Sequence, residues 1–162
     1  MNIHRLSRAQ QLPIDPETAW RYFWTPSNLQ QMTPEFLHFH ITSEVPPTIY
    51  PGLIISYRIA AVAGIPMTWV TEIKHVVGPA DTADGVSQFV DEQRLGPFRL
   101  WHHLHRFTPT AEGVQMEDIV HYVMPWGWLG ELIHRLFIER RLRRIFEFRG
   151  DYLDGIFREG GR

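Results

Sequence analysis

Carboxylate, amide and imidazole side chains alternate along three segments whose sequences are typical of β-strands. Asp91 and Gln93 lie two residues apart, as do His103 and His105, and Asp118 lies in the following segment. Because side chains at alternate positions of a strand point to the same face, each pair shares one face of its strand. Imidazole and carboxylate groups exchange protons readily, so this grouping has the composition of an acid–base or polar recognition site.

Short turns between these segments predict which residues lie opposite one another. A Gly-Pro turn after the first segment places Asp91 opposite Trp101, and the next loop places His103 opposite Asp118. The residues that share a face with Asp118 are apolar, and a buried charge is costly unless it is paired and hydrogen-bonded. We therefore expect a direct hydrogen bond between Asp118 and an imidazole of the preceding strand.

Three interpretations of this cluster are open at the level of sequence. In the first, it is a satisfied buried network that holds the strands in register. In the second, it recognises the polar part of a ligand inside an otherwise apolar cavity. In the third, Asp118 acts with His103 or His105 as the catalytic pair of a cyclase or dehydratase.

A metal site would need another protein ligand beside His103 and His105, because zinc sites hold three or four protein ligands in fixed geometry. His75 is the only further histidine expected to point inward. We therefore expect no native metal. We also expect no cofactor, and the sequence contains no Gly-rich phosphate loop, GxSxG or HExxH motif.

The last third of the chain supplies the element on which these strands must pack. A strand over residues 115–124 breaks at Pro125, and a long helix is predicted from Glu131 to Gly150. Its apolar residues recur at spacings of three and four, which predicts one broad apolar face that includes Leu136. We expect this face to lie on the sheet.

The rest of the chain predicts the order of the other elements. A strand over residues 3–14 is followed by two short helices, over residues 17–24 and 27–32, and Asp15 has the composition of a helix cap. About six strands joined by short turns then precede the long helix, which predicts an antiparallel sheet and an α+β fold. Residues 1–162 are expected to form one domain.

Strand alternation predicts an inward-facing, mostly aromatic set that would bind a ligand. Its members are Tyr57, Trp69, His75, Asp91, Gln93, Trp101, His103, His105, Phe107, Asp118 and Tyr122, with Leu136 from the helix. Six tryptophans in a chain with 13% aromatic residues also indicate that large rings line a core or a cavity.

The element order and several segments resemble the START-like (SRPBCC) superfamily, in particular its bacterial polyketide cyclase/dehydrase-like or cell-division-inhibitor-like proteins. The segments are Phe89–Gln93, Gly96–Phe98, Trp101–Phe107, Asp118–Tyr122, Pro125–Gly127 and Ile145–Arg149. The resemblance implies a helix-grip fold, in which a curved antiparallel sheet of six to seven strands wraps around a long C-terminal helix. It also implies lipid-carrier, hormone-receptor or cyclase functions, and it adds no residue roles.

Composition limits the partners. A net charge of −2 gives no general attraction to nucleic acid, and the absence of cysteine excludes disulfides and thiolate chemistry. The first residues have no apolar run typical of a signal peptide, so we expect a cytoplasmic protein. We also expect a monomer or weak dimer.

Two surface features carry their own alternatives. The arginine-rich face of the long helix is either a solvated face with ion pairs or, with Trp126 and Trp128, a contact for anionic lipids. The apolar hairpin over residues 60–67 is either a buried tip or a mobile lip through which a ligand enters.

The function we expect is binding of a small hydrophobic or aromatic molecule between the sheet and the helix. The alternatives are the cyclase or dehydratase and a lipid-surface or protein-interaction module.

Overall fold

The chain begins with one strand and two short helices. The computed structural model describes residues 2–62 and 64–159. Strand β1 spans His4–Leu12, helix α1 spans Pro16–Phe23 and helix α2 spans Asn28–Gln31. The Asp15 carboxylate accepts hydrogen bonds from the Thr18 N–H at 2.9 Å and the Thr18 hydroxyl at 2.7 Å, which caps α1 as the sequence predicts.

Six further strands complete an antiparallel sheet. They are β2 (His40–Ile41), β3 (Ile54–Val62), β4 (Ile65–Val77), β5 (Ser87–Leu95), β6 (Leu100–Thr110) and β7 (Gly113–Val123). Short 3₁₀ turns at Glu35–Leu37 and Pro79–Asp81 precede β2 and β5. The seven strands lie in the order β1-β7-β6-β5-β4-β3-β2, so that the first strand pairs with the last. The predicted α+β architecture is confirmed.

A long helical segment, the C-terminal helix, lies on this sheet. It consists of α3 (Trp128–Ile133), a π turn (His134–Ile138), α4 (Glu139–Asp154) and a second π turn (Gly155–Glu159). In the first π turn the N–H of Glu139 bonds to the carbonyl of His134, five residues back rather than four.

The first π turn decides which side chains face the sheet. Gly130, His134, Ile138, Leu142 and Phe146 are buried at a constant spacing of four residues. In a regular helix of about 3.6 residues per turn, each such step rotates the buried face by about 40°. The wider turn absorbs this rotation and keeps the same face on the core.

Leu136 was predicted to lie on the buried face of the helix, and this prediction was wrong. Its side chain is 59% exposed, and Leu132 and Phe137 are exposed as well. The physical reason is its position two residues from both His134 and Ile138, which are buried, because two residues along a helix correspond to roughly half a turn and so to the opposite face. Arg149, assigned by sequence to the polar face, is instead buried beside Gly150.

His75 was also expected to point inward, and it does not. Trp69, Thr71 and Ile73 are buried at alternate positions of β4, but the register with β5 shifts between Lys74 and Val77. At this bulge His75 has φ of 49° and its side chain is exposed. A bulge adds a residue to one strand and so interrupts the alternation of faces.

The hydrophobic core fills the space between the sheet and the helices. Its most enclosed side chains are Leu12, Leu37, Phe107, Val114, Val120 and Leu153. Part of the hairpin predicted as a buried tip or a mobile lip lies outside the described residues, at Ala63, while Ile65 beside it is exposed. None of the helices in the described ranges is long and apolar enough to cross a membrane.

Candidate functional site

The predicted polar cluster forms on β5, β6 and β7. Asp91 pairs with His103 and His105 pairs with Asp118 in the strand registers. The pairs expected from sequence, Asp91 with Trp101 and His103 with Asp118, are therefore wrong by two residues on each strand pair. A shift of two residues keeps every side chain on its face, so the correct residues still meet.

Two imidazoles bridge two carboxylates at the centre of the cluster. His103 Nε2 donates to Asp118 Oδ1 at 2.7 Å, which confirms the predicted hydrogen bond, and His103 Nδ1 lies 3.2 Å from Asp91 Oδ2. His105 Nε2 donates to Asp91 Oδ2 at 2.9 Å. His105 Nδ1 is 3.0 Å from Asp118 Oδ1, but its direction does not make a hydrogen bond.

Arg149 and Trp101 complete this network. Arg149 Nη1 donates to Asp118 Oδ1 at 3.0 Å from the C-terminal helix, and Trp101 Nε1 donates to Asp91 Oδ1 at 3.2 Å. Sequence reasoning missed Arg149 because the arginines were treated as one solvated face. Its spacing of three from Phe146 and four from Leu153, both apolar and buried, is the signal that could have found it.

Burial and neighbouring charges act in opposite directions on these groups. Burial raises the pKa of Asp118, but the charge of Arg149 and the two neighbouring imidazoles hold it well below its ordinary value. Burial likewise raises the pKa of Asp91, while the histidines lower it further than burial raises it. Burial lowers the pKa of His103, yet the two carboxylates bring it above its ordinary value. The network therefore favours two carboxylates opposed by an arginine and a His103 imidazolium.

An apolar cavity of about 180 Å³ lies between this cluster, α2 and the C-terminal helix. Aliphatic and aromatic side chains make up most of its wall, among them Met32, Ile55, Phe89, Leu142 and Phe146. The polar groups that β3 and β4 contribute to the cavity wall form hydrogen bonds with one another. Thr71 Oγ1 lies 2.9 Å from the Tyr57 hydroxyl and accepts a hydrogen bond from Trp69 Nε1 at 3.1 Å. The site thus combines apolar walls with one polar end.

Six of the predicted ligand-binding residues line the cavity: Tyr57, Trp69, Asp91, Trp101, His103 and His105. They come from β3, β4, β5 and β6, on the side of the sheet that faces the cavity. Trp101 lies at the edge of the cluster, where its ring packs against Trp69 and Phe98.

The other predicted residues lie elsewhere. Asp118 is buried behind the two imidazoles, and Phe107 is enclosed in the core against Phe23. Tyr122 is buried, and its hydroxyl is 2.9 Å from His134 Nε2. The Gln93 side chain holds the β5–β6 turn by donating to the Phe98 carbonyl at 2.6 Å. His75 and Leu136 are exposed, as described above.

Sequence reasoning also missed the walls contributed by the helices. Leu29, Met32 and Thr33 border the cavity from the α2 region, and Arg141 and Ile145 border it from α4. Thr33, Leu29, Arg141 and Ile145 are half-buried, so the cavity approaches the surface between these two segments.

Among the described residues, two groups of side chains have the composition of a metal site. Asp91, His103 and His105 have ligand atoms within 4.8 Å of one another, as do His4, Glu131 and His134. The atoms of the first group contact one another as hydrogen-bonding partners, as the distances above show. The expectation that no metal binds there stays a prediction.

Comparison with known proteins shows the fold. No family model matches the sequence, and no match was found among the curated proteins. A protein of unknown function, SA2116 from Staphylococcus aureus, superimposes with a TM-score of 0.67 and 11% identity, over 99% of this chain and 96% of that chain.

Two further solved structures are also similar. A norcoclaurine synthase point mutant from Thalictrum flavum, in complex with a transition-state analogue, has a TM-score of 0.61 and 11% identity over 94% of each chain. Ara h 8.0201 has a TM-score of 0.53 and 15% identity, over 94% of this chain and 98% of that one. The helix-grip fold predicted from sequence is confirmed.

Proposed function

We propose that this protein binds a small hydrophobic or aromatic molecule in the cavity between its sheet and its C-terminal helix. The observation that carries the proposal is the cavity itself, with apolar walls on most sides and Asp91, His103 and His105 at one end. Small-molecule sites commonly have this composition, because apolar walls supply affinity and a few polar groups fix orientation. We extend the proposal to the polyketide cyclase-like subgroup that the sequence resembles.

The volume limits the ligand. An apolar cavity of about 150 Å³ is large enough to hold benzene. At about 180 Å³, this cavity accommodates one substituted aromatic ring or a short acyl chain. The norcoclaurine synthase structure, in complex with a transition-state analogue, supports small-molecule binding by this fold. A larger polyketide or lipid would need the α2 side of the cavity to open.

The polar end suggests a second candidate function in the same cavity. His103 has a raised pKa and borders the cavity, and its Nδ1 N–H, which lies 3.2 Å from Asp91 Oδ2, is the donor that a ligand carbonyl would share with Asp91. Asp91, whose carboxylate is held ionised, would accept a hydrogen bond from a ligand hydroxyl. Acid–base catalysis of the cyclase or dehydratase type uses the same groups, with Asp118 as the residue that orients His103.

Binding is tested with ethylbenzene, a neutral probe of suitable size. We expect saturable shifts in the amide NMR signals of Tyr57, Trp69 and Phe89 that fit one site. The variant Met32→Trp places a larger ring at the cavity wall and should weaken binding by tenfold or more. The control Leu136→Trp adds the same ring at an exposed position of the C-terminal helix and should leave affinity unchanged. Absence of saturable binding by ethylbenzene, naphthalene and octanol would contradict the proposal.

We propose separately that the first part of the C-terminal helix contacts anionic membranes. Trp126 and Trp128 are 71% and 79% exposed, and Leu132, Leu136 and Phe137 extend this apolar surface along the helix. Residues 126–144 contain five arginines and two glutamates in a chain whose net charge is −2. Exposed tryptophans beside arginines are the composition of a surface that rests in the headgroup region of a bilayer.

A further inference from the structure

Arg141 is a cation at the border of the cavity, and no carboxylate in the described part of the chain pairs with it. It lines the cavity from α4, where it is half-buried. Its Nη2 donates to the Ala60 carbonyl at 2.6 Å, while its Nε is buried and finds no hydrogen-bond acceptor among the described residues. A guanidinium has five N–H donors, so several remain for another acceptor.

A second arginine increases the positive charge at this point. The guanidinium carbons of Arg141 and Arg144 lie 5.1 and 5.2 Å from the centre of the Phe36 ring. Within residues 2–62 and 64–159, no carboxylate lies within 4 Å of either guanidinium. Desolvation and the charge of Arg144 lower the pKa of Arg141. A partly buried charge without a counter-ion is unfavourable, and an anion placed there would be stabilised.

Arg149 shows how the same helix neutralises such a charge elsewhere. It lies eight residues after Arg141 and also borders the cavity, about 12 Å further along the helix axis at about 1.5 Å per residue. Arg149 is paired with Asp118, whereas none of the described residues pairs with Arg141 in this way. The cavity therefore extends from a neutralised polar end to an end with an unneutralised arginine.

We infer that the ligand of this cavity carries a carboxylate that binds Arg141, with its apolar part directed toward Trp69 and Phe89. This inference rests on the proposed binding function and names its ligand class: a small aromatic or short-chain carboxylic acid. A planar carboxylate matches the guanidinium, because it accepts two parallel N–H hydrogen bonds.

The opposite orientation is unfavourable. At the other end of the cavity the Asp91 carboxylate faces the ligand, and its two oxygens already accept from Trp101 and His105. A ligand carboxylate beside it would be repelled and would find donors that are already occupied. Charge at the Arg141 end and an apolar or hydroxyl-bearing part at the Asp91 end satisfy both groups.

The test compares 4-ethylbenzoate with 4-ethylbenzamide, which has nearly the same shape and no charge. On the unchanged protein at pH 7.5, we expect calorimetry to show the benzoate binding at least tenfold more tightly than the benzamide. High salt should reduce this preference, because the contact lies near solvent. This comparison needs no variant and so does not depend on the folding of one.

Variants then identify the positive charge that causes the preference for 4-ethylbenzoate. Arg141→Gln should remove the preference for the benzoate over the benzamide. Arg143→Gln is the matched control, because Arg143 is exposed and pairs with Glu139 on the outer side of the helix. It should keep the preference.

The outcomes separate the two proposals. Equal binding of benzoate and benzamide while ethylbenzene binds would overturn the carboxylate inference and leave the binding function standing. A preference that survives in Arg141→Gln would overturn the assignment to Arg141. No binding of any of the three probes would overturn both proposals.

Discussion

Asp118 on β7 and Arg149 on α4 form a buried ion pair across 3.0 Å, although 31 residues separate them in the chain. The pair joins the sheet to the C-terminal helix directly behind the two imidazoles. Because both side chains are buried, each depends on the other for compensation of its charge. The network is therefore part of what holds the helix on the sheet, as well as the support for the cavity-facing histidines.

Replacing Asp118 by Asn should destabilise the protein without abolishing ligand binding. The substitution leaves the Arg149 charge buried and unpaired, and breaking a buried pair in this way costs about 3–5 kcal/mol. Urea unfolding measures the loss. Ethylbenzene affinity in the folded variant should stay within about twofold, since Asp118 does not line the cavity. Glu147→Gln removes the same charge from an exposed site and should be neutral. A variant with unchanged stability and tenfold weaker binding would assign Asp118 to the ligand instead.

The stabilising effect of His103 should depend on pH with a defined sign. Its pKa in the folded protein lies above the ordinary value of 6.5, so the folded state favours the imidazolium. This stabilisation is complete below pH 6.5 and is lost as the pH rises through the raised pKa. The free-energy difference between the unchanged protein and His103→Gln should therefore shrink from pH 6 to pH 9.

The difference in the free energy of unfolding between the unchanged protein and His103→Gln isolates the effect of His103, because groups that titrate in both proteins contribute equally to both. Burial lowers the pKa of His134 and of His121, and these groups titrate in both proteins. Denaturant unfolding at several pH values gives the two curves. A difference in the free energy of unfolding that grows with rising pH would show that the folded state favours neutral His103.

Two leucines of the C-terminal helix should respond differently to truncation. Leu153 is fully buried, and Leu153→Ala should cost about 2–5 kcal/mol because it leaves a cavity in the core. Leu136→Ala should change the free energy of unfolding by less than about 0.5 kcal/mol, since the side chain is mostly exposed. Equal losses in chemical denaturation would mean that the helix packs in a different rotation.

The double variant Trp126→Ala/Trp128→Ala should lose affinity for vesicles that contain phosphatidylserine. We expect at least a tenfold loss in co-sedimentation, and weaker binding of the unchanged protein to neutral vesicles or at high salt. Tyr50→Ala removes an exposed aromatic ring away from this helix and serves as the control. A concentration-dependent dimer that the tryptophan substitutions abolish would instead assign this face to a second copy of the chain.

The sequence predicted the polar cluster because strand alternation is insensitive to errors of two residues. Asp91, His103, His105 and Asp118 meet although both predicted registers were wrong. The cavity walls from α2 were not predictable in this way, since no periodic pattern connects Met32 to the sheet. A local backbone irregularity caused one further error: the bulge at His75 reverses a face that simple alternation cannot anticipate.

The π turn at His134–Ile138 holds one residue more than a regular helical turn would hold. Each residue of a regular helix accounts for about 100° of rotation. Deleting one residue within the turn would let the helix become regular, with Leu142 and Phe146 still on the core and with little change in the direction of Trp128 and Leu132. Deleting one residue between the turn and Trp128 would instead swing the exposed tryptophan surface by about a quarter turn around the axis. The turn is therefore the place where the C-terminal helix tolerates a change in chain length without redirecting that surface.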